Sequence, residues 1–83
     1  MALRAWRRTH GEHIVAFVVA AGDFWRPSVR LIIDPAGTVH ESHLLPFLQS
    51  AQAAADDLAC ELFEHRCAAQ TCGEWMAWPV DGR

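Results

Sequence analysis

The chain has 83 residues, which is enough for one small domain with one hydrophobic core. Its residues are 52% hydrophobic, with four Trp and four Phe; this composition argues against disorder and favours self-association, because so small a body cannot enclose all of that apolar surface. The formal net charge of -3 argues against any general attraction to nucleic acid or to an anionic membrane.

The first half of the chain predicts an N-terminal arm and two strands. Residues 1–11 contain Arg and Trp without a sustained period, so they are predicted to form a partly ordered basic arm. Residues 12–20 are β-branched and aromatic at both parities, which predicts a first strand that is central in its sheet or covered on both faces. After a Gly/Asp turn, residues 25–33 alternate between apolar and polar and predict the second strand. Pro27 cannot donate a ladder hydrogen bond, so it should lie near the start of that strand or face away from its neighbour.

A turn and a third strand are predicted next. The sequence Asp34-Pro35-Ala36-Gly37 is typical of a type I turn, with Asp bonding the backbone and Pro presetting φ. The third strand should cover roughly residues 38–44. Because Pro46 cannot continue a strand, residues 45–49 are predicted to cross over to a helix, with Phe47 beneath the helix start.

A long helix is the element around which the prediction is organised. Residues 50–70 repeat their apolar positions every 3.6 residues, which predicts an amphipathic helix with Ser50 as N-cap and an end near Gly73. Its apolar stripe is expected to comprise Ala51, Ala54, Ala55, Leu58, Leu62 and Ala69, widened by Ala59 and Phe63. The predicted fold class is therefore α+β: a three-stranded antiparallel meander with one long C-terminal helix packed on one face (β-β-β-α), in a single domain over residues 12–83.

The C-terminal tail is unusually apolar. Leaving such side chains in water costs roughly 1.5 to 3 kcal/mol each, so we expect the tail to dock on its own sheet or on a neighbour's. Because aromatic and Met side chains dominate interface hot spots, the predicted interface residues of a homo-oligomer, or of a complex with another protein, are Trp75, Met76 and Trp78.

Two segments carry a family resemblance. G-D-F-W-R-P-S-V-R-L-I-I (22–33) and F-L-Q-S-A-Q-A-A-A (47–55) resemble the hairpin and the helix start of small, mostly uncharacterised bacterial domains of β-β-β-α layout. More loosely, the layout is similar to the partly degraded double-stranded-RNA-binding-like fold of HicB-type antitoxins. The resemblance covers residues 12–66 and implies the fold. The chain lacks the DNA-binding segment and the basic helix start that would imply an activity.

Histidines occur in two H-x-x-H pairs, His10 with His13 and His40 with His43. On a strand, residues three apart point to opposite faces, so neither pair has the geometry of a metal site. If the first and third strands were neighbours, His13 could still meet His40 or His43, and a shared metal site stays open as an alternative to ordinary surface histidines.

The other reactive side chains do not predict an enzyme. Cys60 and Cys67 lie about 10 Å apart along the helix, too far for a shared metal or a disulfide within one chain, although pairing between two chains stays open. Cys72 has no base that the sequence identifies. The helix carboxylates decorate a solvated face instead of converging on a cleft; they are Asp56, Asp57, Glu61 and Glu64. We predict a non-enzymatic protein with no cofactor and no metal.

Arginines define the alternative function, a nucleic-acid-associated or antitoxin-like regulator. The N-terminal arm could pair with phosphates while an aromatic ring stacks on a base, and the second strand could add two more cations on its exposed face. The candidate residues are Arg4, Trp6, Arg7, Arg8, Arg26 and Arg30. Arg26 and Arg30 share parity, so they could equally accept an acidic protein surface, including the acidic helix of a second copy.

The expected location is the cytoplasm. No apolar run approaches the roughly 20 residues needed to span a bilayer, and the basic N-terminus is separated from the first apolar run by polar residues, which is a poor match to a secretory signal. Three Cys without a C-x-x-C pair fit a reducing compartment.

Overall fold

The structure, a computed structural model, describes residues 5–64 and 72–77. In this part of the chain the elements are β1 (Ala5–His10), β2 (Ile14–Ala21), β3 (Phe24–Leu31), β4 (His40–Glu41), α1 (Leu48–Phe63) and β5 (Met76–Ala77). The strands form one sheet in the order β4-β3-β2-β1-β5, and each neighbouring pair is antiparallel. Strands β1 to β3 form a meander and α1 packs against β2 and β3, so the predicted α+β class is confirmed.

The first strand of the meander lies where the sequence indicated an arm. Residues 5–10 pair along their whole length with β2, from Ala5 opposite Val19 to His10 opposite Ile14. The apolar character of β2 at both parities made it a central strand, and its second edge needs backbone partners that only an additional strand supplies. The assignment of residues 5–10 to a partly ordered arm is therefore wrong.

The strand after β3 is shorter than predicted. Only His40 and Glu41 form a ladder with β3, and a separate bridge joins Trp25 to Leu45. Pro27 explains the gap between them. Its carbonyl accepts a hydrogen bond from the Ser42 N–H at 3.0 Å, so its nitrogen also points towards this edge and away from β2, and it has no proton to donate.

The turn after β3 has the predicted chemistry. The Gly37 N–H donates to the Asp34 carbonyl at 3.0 Å, and the Asp34 carboxylate accepts hydrogen bonds from the backbone N–H groups of Ala36 and Thr38. Gly37 has φ +65°, a conformation that favours glycine. The backbone hydrogen bonds to its carboxylate lower the pKa of Asp34.

The helix begins and ends earlier than the sequence indicated. Phe47 is the N-cap and makes no side-chain capping hydrogen bond, so the assignment of this role to Ser50 is wrong. Phe47 is also 69% exposed, so its predicted place beneath the helix start is wrong. The helix starts directly after Pro46, which cannot belong to a strand interior. At its other end Glu64 adopts the left-handed conformation (φ 50°), and the Phe63 ring meets His40 edge-on at 5.8 Å, which fixes the helix end to β4. The rest of the predicted helix, residues 65–70, lies outside the described residues.

The core lies between α1 and one face of the sheet. The helix contributes Ala51, Ala55 and Ala59, all completely buried and spaced one turn apart. Their small side chains let the helix lie close to the sheet, whose core residues are Ile14, Ala16, Val18 and Val29. Leu62, which the sequence placed on the apolar stripe, is 45% exposed.

Candidate functional site

The face of the sheet that points away from α1 is called the open face here. The strand register aligns one residue from each strand across it, in the row Met76, Arg7, Phe17, Ser28 and Glu41. The adjacent row faces the helix instead, because it contains the core residues Ala16 and Val29. Strand alternation therefore assigns every second residue to the open face.

An apolar cavity of about 290 Å³ lies on the open face and is lined by Phe17, Val19, Ser28, Arg30 and Val39. The Nε atom of Arg30 is buried there and has no hydrogen-bond acceptor among the described residues. A buried donor without an acceptor costs about 1 to 3 kcal/mol. An occupant that brings a carboxylate to this guanidinium would offset part of that cost.

The predicted basic arm divides between the two faces. Arg7 is exposed on the open face, whereas Trp6 packs against the core and Arg8 turns towards the helix. Arg4 lies outside the described residues. The arrangement thus brings Arg7 to the same face as Arg26 and Arg30, and it removes Trp6 and Arg8 from that face.

Arg26 makes two weak contacts at the rim of the open face. Its NH1 atom donates to the Ser42 carbonyl at 3.3 Å and lies 3.9 Å from Glu41 Oε1. The side chains of Arg26 and Glu41 are 40% and 54% exposed, so this ion pair adds little stability and leaves the guanidinium accessible.

The predicted interface residues of the tail also have different environments. Trp75 packs against the core of its own chain, so its burial needs no second molecule. Met76 is 67% exposed and extends the open face next to Arg7. Trp78 lies outside the described residues.

On the helix side, four residues form what is called the His10 cluster: Arg8, His10, Asp56 and Cys72. The His10 side chain is completely buried, and its Nε2 atom lies 2.8 Å from Asp56 Oδ1. The other carboxylate oxygen, Oδ2, is 3.1 Å from the NH1 atom of Arg8. Arg8 also donates through Nε to the Gly73 carbonyl at 2.7 Å, so it connects the helix to the tail.

Cys72 enters the cluster through backbone pairing. It forms an antiparallel bridge with His10, and the next residue, Gly73, donates from its N–H to the Thr9 carbonyl at 2.9 Å. A Cβ at Gly73 would lie 3.0 Å from Thr9 Oγ1, so the absent side chain permits this close approach. The bridge places the Cys72 side chain beside the His10 imidazole, and this neighbour helps to raise the pKa of His10.

The protonation of His10 follows from these contacts. Burial lowers its pKa, but the hydrogen bonds from its imidazole to Asp56 and Cys72, with the charges of those groups, raise it by more. The net result is a pKa above the ordinary value of 6.5. The imidazolium form is therefore favoured inside the cluster.

Sequence reasoning missed the His10 cluster. It interpreted His10 as a surface residue, Asp56 as part of a solvated helix face and Cys72 as a residue without a base, and the structure corrects all three interpretations. The usable signal was the alternation of Trp6, Arg8 and His10 at one parity, which follows only once residues 5–10 are recognised as a strand.

Among the described residues, His13 does not meet His40 or His43. β3 lies between β2 and β4, so the first and third predicted strands are not neighbours, and the premise for joining His13 to His40 or His43 is wrong. Across residues 5–64 and 72–77, no group of three or more His, Cys, Asp or Glu side chains is placed to hold a metal ion.

Comparison with protein-family models, with curated proteins and with solved structures finds no match for this chain. Within the described ranges, no helix has the length and apolar character required to cross a membrane. The resemblance to small bacterial β-β-β-α domains stays a prediction, and the function is argued from geometry.

Proposed function

We propose that this protein is a non-enzymatic protein-interaction domain of the cytoplasm that self-associates through its open face. The observation that carries the proposal is the apolar cavity on that face with Arg30 in its wall. A floor of Phe17, Val19 and Val39 supplies the apolar contact area that a partner would bury. The arginines around it are positively charged, so they favour a partner with an acidic surface.

Charge favours the helix of a second copy as the occupant. The open face carries Arg7, Arg26 and Arg30 against the single acid Glu41 in its described part, so two open faces would repel each other. The solvent side of α1 has the opposite sign. Its exposed acids are Asp57 and Glu61, with Glu64 just beyond the helix end, and α1 itself contains no Lys or Arg.

The positions of the two surfaces determine the kind of assembly. The open face and the solvent side of α1 lie on opposite sides of the domain, because α1 covers the other face of the sheet. A contact between them is therefore head-to-tail, which yields a ring or an open chain of copies instead of a closed twofold dimer. Met76, which extends the open face, adds apolar area to the same contact.

Light scattering coupled to size-exclusion chromatography tests this proposal. We expect the average mass to rise with concentration over about 10 to 500 µM, and to fall at high salt because exposed charges are screened. Arg30→Glu should remove the receiving surface and Glu61→Arg the donating surface, so each variant alone should stay monomeric. Glu12→Arg, in the β1–β2 turn, is the matched charge-reversal control and should assemble like the parent protein.

A mixture of the two variants makes the test specific. The Arg30→Glu copy keeps an intact helix and the Glu61→Arg copy keeps an intact open face, so the parent contact can form between them, and the two altered surfaces also carry opposite charges. We expect the mixture to regain the assembly that neither variant shows alone. A parent protein that is monomeric throughout, or variants that assemble as it does, would exclude the open face as a self-association surface.

A second candidate function is supported by the arginines themselves. Arg7, Arg26 and Arg30 share the open face with Phe17, and cations around an aromatic ring suit single-stranded nucleic acid. A fluorescence titration with short DNA and RNA separates the two candidates. Binding that weakens steeply with salt and is lost in Arg30→Glu would favour a regulator, whereas no binding even at low salt would leave the interaction domain.

The proposed location rests on cysteine chemistry. The chain has three Cys and no C-x-x-C pair, which fits a reducing compartment.

A further inference from the structure

We propose that Cys72 is a reactive thiol, a covalent-modification site for soft electrophiles, with His10 as its base and Asp56 as the residue that positions that base. This inference concerns the helix side of the sheet and is independent of the open face. It rests on three side chains that the fold brings together from β1, α1 and the segment before β5.

The pairing of Cys72 with His10 is enforced by the backbone. Residues directly opposite each other in an antiparallel bridge place their side chains side by side on one face of the sheet. Two further bonds hold this register, from Gly73 N–H to the Thr9 carbonyl at 2.9 Å and from Arg8 Nε to the Gly73 carbonyl at 2.7 Å. The backbone register therefore places the Cys72 thiol beside the His10 imidazole.

Asp56 determines which ring nitrogen of neutral His10 carries the proton. A neutral imidazole has one donor and one acceptor nitrogen, and the charge of a carboxylate oxygen 2.8 Å from Nε2 favours the proton on that nitrogen. The other ring nitrogen is then the acceptor for the thiol proton. Arg8 fixes the carboxylate through its second oxygen at 3.1 Å, so the orientation of Asp56 is itself supported.

The cluster favours the charged pair of imidazolium and thiolate. A cation beside a cysteine stabilises its thiolate, and the His10 imidazole lies directly opposite Cys72 in the antiparallel bridge. The carboxylate of Asp56 stabilises the imidazolium in turn. Cys72 is half-buried, whereas the His10 side chain is completely buried.

The chemical step is a substitution at the electrophile. The thiolate sulfur attacks the electrophilic carbon, a C–S bond forms, and the leaving group departs with the electron pair of the bond that breaks. The proton taken from the thiol remains on His10. Acyl hydrolysis is a poorer match, because the N–H that follows Cys72 already donates to the Thr9 carbonyl and is not available to an oxyanion.

Alkylation kinetics test the proposal with an internal control. The protein is treated with iodoacetamide at several pH values between about pH 6 and pH 8, and the rate is measured separately for Cys60 and Cys72 by peptide mass spectrometry. Cys60 lies on α1 with similar exposure. An ordinary thiol is only a few per cent thiolate at pH 7, so we expect Cys72 to react about tenfold faster there and to retain its reactivity at lower pH.

The same experiment in urea removes the effect of local sequence. The His10 cluster does not exist in the unfolded chain, so the two rates should converge. Equal rates in the native protein, or a rate advantage for Cys72 that persists in urea, would overturn the proposal. Neither outcome depends on whether a variant folds.

Variants then assign the roles. His10→Gln should slow Cys72 to the rate of Cys60 at pH 7, and the isosteric Asp56→Asn should shift the pH profile of Cys72 towards that of Cys60 without abolishing reaction. Asp57→Asn, the exposed neighbour on α1, is the matched control and should leave the profile unchanged. Circular dichroism verifies that each variant is folded, and a folded His10→Gln variant that retains the fast rate would exclude His10 as the base.

Discussion

The two faces of the sheet are built from adjacent residues of the same strands, yet their environments are opposite. Val18 is completely buried beneath α1, whereas Val19 is half-buried in the wall of an open cavity. Arg8 is bonded to Asp56 on the helix side, whereas Arg7 is exposed on the open side. Residue type therefore does not by itself determine the role of a side chain here. Its parity relative to α1 decides which face it joins, although Ala5, Val15 and Ser28 are buried at the parity of the open face.

The comparison also separates two kinds of polar chemistry. Charges on the helix side are partly or fully enclosed and meet defined partners at hydrogen-bond distance. Charges on the open face, such as Arg26, are solvated and only loosely paired. Among the enclosed groups, His10 has a raised pKa, whereas solvated groups can select a partner by their sign.

The largest expected effect comes from placing a charge on each face in turn. Val18→Asp buries an unpaired carboxylate in the core, which should cost more than about 4 kcal/mol, so we expect no stable fold. Val19→Asp places the same group at the open cavity that Arg30 also lines, and it should change the unfolding free energy by less than about 1 kcal/mol. Urea unfolding followed by circular dichroism compares the two. If Val19→Asp were as destabilising as Val18→Asp, the open face would be core in solution and the distinction would be lost.

An intermediate effect is expected from the packing of α1. Ala55 is completely buried against the sheet, so Ala55→Leu forces the helix away from its close approach and should cost about 1 to 3 kcal/mol. Ala53→Leu makes the same change on the exposed side of α1 and should stay within about 0.5 kcal/mol of the parent protein. The measurement is again the unfolding free energy in urea. A stabilised Ala55→Leu variant would mean that space exists under the helix and that the small side chains are not required there.

The smallest effect concerns the pKa of His10, on the helix side of the sheet. The imidazole of His10 should titrate above 6.5, and Asp56→Asn should lower its pKa, because it removes the carboxylate that favours the imidazolium while burial, which opposes that form, remains. Histidine ring signals in a nuclear magnetic resonance titration report this directly, with Asp57→Asn as the control that leaves the His10 signal in place. A His10 pKa that is unchanged in Asp56→Asn would show that the carboxylate at 2.8 Å does not set the charge of the ring.

Much of the fold was accessible to sequence reasoning because its determinants are local. The alternation in residues 25–33 predicted β3, the Asp34 to Gly37 turn has the bonds its residues require, and the 3.6-residue repeat predicted α1. The errors of prediction concern the ends of the helix and the strands beyond the β2–β3 hairpin. Residues 5–10 carry too weak a period to predict β1, and the helix begins at Leu48 without the side-chain cap that would have marked its start.

The sequence by itself therefore determined the β2–β3 hairpin, the turn after β3 and the amphipathic helix, since hydrophobic period and turn chemistry act between residues that are close along the chain. Only the tertiary structure decided which parity of each strand faces α1, and with it the contents of the open face. The tertiary structure also decided that His10, Asp56 and Cys72 lie together, because these residues come from β1, α1 and the tail. Contacts between residues far apart in the chain depend on strand register and on the helix that covers the sheet, and no local pattern encodes them.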